Sequence, residues 1–549
     1  MLEKFCVGLV RILLGGILFF LTLLSAVVTC RVYGGSEIVQ YGRDSLFLHL
    51  FFGAGVIGLT VFYRRRKERK CRKNQWLLLA AAAYLFWILL VPSWGGSDSH
   101  QCMASAQGLL QGDFSAWEPV AYSYGTAEGP LGYAYTYPSQ NGLILYMAVL
   151  AFFFGDVAYA VFQILNIGFF ILGIVSLQRM MVRGNERCSL LLWMACCLPF
   201  SFYILFVYGT MPGFGLSCLA MERLVRYVEE GRGRDFWIGA AAVAAAVILK
   251  SNYEIVLVAL FLYLASSGVF RRKARLLVAA VLLITVYVIG NRGIQTGISS
   301  VTGRTVSDGA PMIAWVQMGL EESKRGPGWY NGYQVKLFQK ADGDADLAAA
   351  WAQADLRKTI SDMAEEPAKA ADFFVRKIES IWAEPTFQSL WIQEVGNTSW
   401  AEGSPPWELF KEEGGLNRLY VFAANLLQTF VYAMACVWVI AGMSTKGSQS
   451  KHVLTKRTWE KRIEAEKTVK AVKKQGMETV WERQERGEPD RWGMLLPGIV
   501  FIGGFLFHLV WEAKGQYSVV YFMLLLPYAY LGMERVADVF LDVTGAGKE

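Results

Sequence analysis

Long apolar runs dominate this chain, and they restrict its fold more than any other feature. Stretches of about 17–25 apolar residues recur from end to end, each long enough to cross a hydrocarbon core about 30 Å thick. Of the 549 residues, 54% are hydrophobic, and the mean hydropathy is +0.33. A backbone inside lipid must satisfy its own hydrogen bonds, so such runs fold as helices. The sequence therefore predicts an all-α polytopic membrane protein with about twelve transmembrane helices, plus outer juxtamembrane helices. The first run, near 7–30, is too long for a signal-peptide core and lacks a clear small-residue cleavage site, so it reads as a retained helix.

Charge sets the sides. Segment 64–73, RRRKERKCRK, has eight basic residues and one acid, which marks it as cytoplasmic. The spans at 45–63 and 76–93 flank it, so the loop after residue 93 falls outside. Basic segments at 178–187, 222–234 and 271–275 should also lie inside. That requires one crossing, at 158–177, between the outer loop and 178–187. The short run 141–155 is then re-entrant or juxtamembrane on the outer side. Further spans follow at 188–208, 210–227, 236–250, 253–269, 276–291, 416–442, 493–511 and 518–536, with both termini inside. The chain divides into an N-terminal helical hairpin with its basic loop (1–75), a transmembrane core (76–291) with first outer loop 94–140, an outer segment (292–412), and C-terminal helices (413–549) with a charged cytoplasmic insert at 443–492. Within the outer segment, 347–357 and 368–382 are amphipathic, and Pro367 suits a helix start.

The net charge of +7 belongs to the inner loops and does not indicate nucleic-acid binding. Nine cysteines show no CxxC pair and sit mostly in apolar runs, so they read as small core residues. Four scattered histidines form no metal-ligand pattern. No internal repeat is visible, which argues against an inverted-repeat transporter.

The polar loop after the third span carries an acid, Asp98, between Ser97, Ser99 and His100. An interfacial carboxylate is commonly just solvated. Partial desolvation beside a span would instead raise its pKa and make it a better proton acceptor. Tyr137-Pro138-Ser139-Gln140 precedes the short helix; it is either a plain helix start or a helix N-terminus facing an anion. Lys250 and Lys514 lie at outer span ends, the latter in a turn with Glu512 and Tyr517. Such lysines can simply snorkel, or they can converge on a lipid phosphate. Finally, Trp329-Tyr330-Asn331, in a glycine-rich stretch, suits either a mobile sugar-stacking loop or an interfacial aromatic belt.

In these residues the chain resembles the GT-C superfamily of membrane glycosyltransferases, which includes the protein O-mannosyltransferases and the aminoarabinose transferase of lipid A. The similar features are Asp98 in the first large outer loop, an A..L..G helix (Ala106, Leu109, Gly112), the YP pair Tyr137-Pro138, the FG turn Phe154-Gly155, the LK pair Leu249-Lys250, and the turn Glu512, Lys514, Tyr517. The resemblance covers roughly 76–300 and 490–536, and the 315–333 pieces are similar to uncharacterised Gram-positive members. It implies a GT-C-like fold and an inverting transfer of a sugar from a polyprenyl-phosphate donor to an acceptor hydroxyl of an envelope polymer, lipid or protein on the outer face. Asp98 would be the general base, and Lys250, Lys514 and Tyr517 would hold the donor phosphate. His100, Tyr137, Gln140, Glu512, Trp329, Tyr330 and Asn331 would line the substrate. No cofactor is required; some members use a divalent metal, but nothing in this sequence demands one. Departures are the serines flanking Asp98, the single proline after Tyr137, and Lys514 where several relatives carry Arg. The competing reading, a lipid-linked glycan transporter or a non-catalytic assembly protein, would place charges mid-bilayer in broken helices in the transporter case.

Overall fold

The computed structural model describes residues 2–33, 37–65, 73–91, 96–123, 129–182, 188–394, 400–443 and 491–543. The protein is about 80% helical, an all-α membrane architecture save for one small sheet. In chain order come α1 (Leu2–Val27), strands β1 (Val28–Tyr33) and β2 (Ile38–Arg43), α2 (Leu46–Arg65), α3 (Lys73–Leu90), α4 (Ser97–Gln111), α5 (Tyr133–Thr136), α6 (Asn141–Phe154), α7 (Ala158–Met181), α8 (Cys188–Ala195), α9 (Leu198–Ser201), α10 (Thr210–Glu230), α11 (Gly233–Leu249), α12 (Glu254–Arg271), α13 (Ala274–Thr302), α14 (Met312–Gly319), α15 (Tyr333–Lys340), α16 (Ala345–Glu365), α17 (Pro367–Trp382), α18 (Trp391–Glu394), α19 (Pro405–Phe410), α20 (Gly415–Ala441), α21 (Leu496–Val510) and α22 (Gly515–Val543).

Among the described residues, eight helical runs are long and apolar enough to cross a membrane, or nine if one bent pair is counted as a span. Large apolar side chains such as Phe47, Phe51, Phe86 and Leu89 are exposed on α2 and α3. A surface of that kind is stable against lipid rather than water. Helix α10 packs on α7 and α11, while α20 packs on α1 and α22. Small residues set these approaches: a Cβ on Gly215 would come 2.4 Å from the Phe169 carbonyl, and one on Gly532 would come 1.9 Å from that of Met434.

The structure departs from the sequence reading in three places. The N-terminal helical hairpin contains a β-hairpin, paired from Val28↔Arg43 to Tyr33↔Ile38. The β-branched residues Val28, Thr29, Val32, Ile38 and Val39 favour it. The stretch 188–208 is not one helix but α8, α9 and a 3-10 turn, Phe202–Leu205. Pro199, in the first turn of α9, supplies no N–H to the preceding helix. The run Leu198–Leu205 then meets α10 at 119°. Third, α4 begins at Ser97, so Asp98 lies in a helix rather than in a loop.

Other expectations match. The amphipathic stretches form α16, capped by the Asp344 side chain, and α17, with Pro367 in its first turn. The short run 141–155 is α6, turned at Gly155, and with α7 it makes one apolar run of 44 residues, Pro138–Met181. The insert 443–492 lies almost wholly outside the described residues, as do 66–72 of the basic loop. Arg64 pairs with Glu534 at 2.6 Å and with Asp538.

Candidate functional site

Asp98 occupies the first turn of α4, where the unpaired N–H groups favour a carboxylate. Ser97, just before it, holds φ at 52°, a left-handed conformation that costs a residue with a Cβ. Ser99 fixes the helix: its hydroxyl donates to the Val207 carbonyl at 2.6 Å and meets Tyr159 Oη at 3.0 Å. The carboxylate is half-buried and accepts a hydrogen bond from Tyr133 Oη at 3.2 Å. Tyr133 belongs to the single turn α5, which packs against Tyr122 and Tyr137.

Lys250 sits at the C-terminal cap of α11, a favourable place for a cation. Its ammonium donates to Thr210 Oγ1 at 2.8 Å and lies 5.0 Å over the Tyr208 ring and 5.8 Å over that of Tyr517. Gly209 permits this, since a Cβ there would come 2.8 Å from Lys250 Cβ. Gln140 donates to Tyr208 Oη at 2.6 Å, tying the YP turn to the same place. Burial pushes the Lys250 ammonium down to about 7, against the pull of the Asp98 carboxylate and with the repulsion of Lys514.

Glu512 and Lys514 come from the turn between α21 and α22. Tyr517 Oη donates to Glu512 Oε2 at 3.2 Å. Burial raises the Glu512 carboxyl to about 7 despite Lys514, with Glu37 and Asp98 adding to the rise. For Lys514, burial would lower the pKa, but Glu37, Glu512 and Asp98 together hold it above its ordinary value. Its ammonium lies 5.8 Å over the Tyr330 ring and 5.6 Å over that of Trp391. Tyr137 is raised by burial first and then by Tyr330, Asp98 and Glu512. Asp98, Tyr137, Gln140, Lys250, Tyr330, Glu512, Lys514 and Tyr517 thus gather at one end of the bundle, from segments more than 400 residues apart in sequence.

Two charged residues of this cluster were missed in the sequence. Glu37, buried at the start of β2, faces Lys514 at 3.6 Å and forms an ion pair with Arg325. Gln388 Nε2 also donates to Glu37, at 3.0 Å, while Gln388 Oε1 accepts from the Gln516 amide at 3.2 Å. Arg325 stacks 5.3 Å over the Tyr330 ring. No sequence signal marks Gln388; the structure holds Phe387 and Gln388 both at positive φ, 51° and 56°. Three carboxylates (Asp98, Glu512, Glu37) and three cations (Lys250, Lys514, Arg325) face one another here, bordered by Lys377 and Glu384.

Three proposed substrate-lining residues sit elsewhere. His100 is exposed, and two positions along a helix from Asp98 its side chain leaves on a different face. Trp329 is fully buried and donates to Ser380 Oγ at 2.9 Å, so it has no free face on which a sugar could stack. The Ala513 amide donates to the Gly328 carbonyl at 2.8 Å, which fixes that stretch as structure rather than a mobile loop. Asn331 is occupied within its own turn, donating to Glu321 at 2.9 Å and accepting from the Tyr333 amide at 2.8 Å. Among the described residues, no group of three or more His, Cys, Asp or Glu could hold a metal ion. The chain matches no protein-family model, no curated protein and no solved structure.

Proposed function

We propose that this protein is a GT-C-type glycosyltransferase of the cell envelope, with about twelve crossings, both termini inside, and the Asp98 cluster on the extracytoplasmic face. It transfers a sugar from a polyprenyl-phosphate donor to an acceptor hydroxyl. The observation that carries this reading is the meeting of one half-buried carboxylate, Asp98, with the buried cations Lys250 and Lys514.

That pairing suits the reaction. Asp98 takes the acceptor proton as the acceptor oxygen bonds to the anomeric carbon. The bond from that carbon to the phosphate oxygen breaks, and its electron pair leaves on the lipid phosphate. Lys250 and Lys514 neutralise the departing charge in a site of low polarity, where such stabilisation is strong. Tyr133, donating to Asp98, holds the carboxylate in place. Inversion follows from a single displacement with one carboxylate acting as base.

The test is glycan mass spectrometry of the envelope in a deletion strain complemented with wild type, Asp98→Asn or Lys514→Met at equal protein levels. A sugar that returns with wild type and with neither variant supports the reading. Full restoration by Asp98→Asn would remove Asp98 as the base.

A further inference from the structure

A cavity among the described residues lies apart from the charged cluster. It measures about 580 Å³ and opens between the first outer loop and the outer segment, lined by Trp117, Tyr135, Arg304, Asp308, Asp344 and Asp346 among others. That volume falls in the range of small-molecule sites. Its lining has the opposite character to the Lys250–Lys514 cluster. Three carboxylates stand against one guanidinium, and Arg304 is already engaged in a two-pronged ion pair with Glu118, at 2.7 Å on one prong. A lipid phosphate is repelled by such a lining. Trp117 is buried, with its indole N–H on Asn141, and closes the floor, but the half-buried ring of Tyr135 beside hydrogen-bond acceptors suits a hydroxyl-rich or amine-bearing ring.

The cavity is also built against the reactive turn. Helix α5 sends Tyr133 to Asp98 on one side and Tyr135 to the cavity on the other, where Tyr135 Oη donates to the Gly343 carbonyl at 3.3 Å. The Ala310 amide donates to the Thr136 carbonyl at 3.0 Å. Both contacts depend on glycines at positive φ: a Cβ on Gly309 would lie 2.4 Å from Pro138 Cδ, and one on Gly343 2.7 Å from Tyr135 Oη. The 304–309 strand of chain and the α15–α16 turn are therefore pressed against the element that positions Tyr133 and Tyr137.

We propose that this cavity binds a saccharide unit of the acceptor, on the far side of α5 from the donor phosphate. The acceptor role rests on the transferase reading above; saccharide binding in the cavity does not.

The experiment is saturation-transfer NMR on the full chain in detergent, with methyl glucoside, methyl galactoside, methyl mannoside and glucosamine as probes. Thr305→Trp fills the mouth of the cavity from an exposed position, and Lys514→Met disables the charged cluster. We expect transfer to at least one probe in wild type, retained in Lys514→Met and lost in Thr305→Trp, whose thermal unfolding is unchanged. Transfer to none of the four, or transfer that persists in Thr305→Trp, overturns the proposal. Sulfate binding followed in the same samples separates the two readings: saccharide binding without sulfate binding keeps the cavity site and removes the donor-phosphate site.

Discussion

Replacing Lys250 by Met should make the protein more stable while abolishing its activity. Lys250 is 8% exposed and has one hydrogen-bond partner, Thr210. Burial takes its ammonium from an ordinary 10.5 to about 7. A folded value below the unfolded one is a penalty on folding whenever the unfolded chain would hold the proton. The penalty is absent above 10.5, grows as pH falls towards 7, and is constant below it. At about 1.4 kcal/mol per tenfold, it amounts to about 4 kcal/mol at pH 7 and about 2 kcal/mol at pH 9. Losing the Thr210 hydrogen bond returns about 1 kcal/mol. The net gain is about 3 kcal/mol at pH 7 and about 1 kcal/mol at pH 9. For 549 residues at about 2 cal/mol/K each, Tm should rise by about 3 °C at pH 7 and about 1 °C at pH 9. Thermal unfolding of wild type and variant in one detergent at the two pH values measures this. A lower Tm at pH 7, or an equal shift at both pH values, would refute the claim that a costly buried cation is held there for function.

Sulfate stays fully ionised from pH 6 to 8, so it reports protonation of the site alone. Its binding, followed by tryptophan fluorescence, should tighten about tenfold or more between pH 8 and pH 6 as Lys250 and Glu512 take up protons, and Lys250→Arg should leave only the part of that change that Glu512 supplies. Lys377 is lowered by burial to about 7 like Lys250, but its ammonium donates to three carbonyls, those of Gly319, Leu509 (3.1 Å) and Trp511 (2.7 Å), where Lys250 has one partner. Lys377→Met strands two more acceptors than Lys250→Met, so it should be less stable than that variant by about 2 kcal/mol or more at pH 7, read as a lower Tm. Asp98→Asn should lower sugar transfer by about 10²–10⁴-fold in a membrane assay, with Tm unchanged within about 1 °C.

Much of this architecture is legible in the sequence, and the reasons are local. Apolar length marks most of the long helices, and Pro367 marks the start of α17. What fails to show is what depends on neighbours. The 188–208 stretch has the composition of a span, yet Pro199 and packing break it into three pieces. The glycines and aromatics at 326–333 suit a mobile sugar-stacking loop or an interfacial aromatic belt equally, whereas in the structure Trp329 is bridged to Ala513 and buried.

Glu37 is the clearest case of a residue invisible in sequence. It lies in an unremarkable GGSE stretch of sequence near the N-terminus, and its place among Lys514, Arg325 and Gln388 exists only once the β-hairpin packs on 319–328. The consequence is physical. On the transferase proposal, a donor phosphate would add negative charge to a buried place that already holds Asp98, Glu512 and Glu37. Lys250 and Glu512, both near pH 7, are the groups able to take up protons in response. Binding of an anion there should therefore be coupled to proton uptake, and the coupling should run through those two residues.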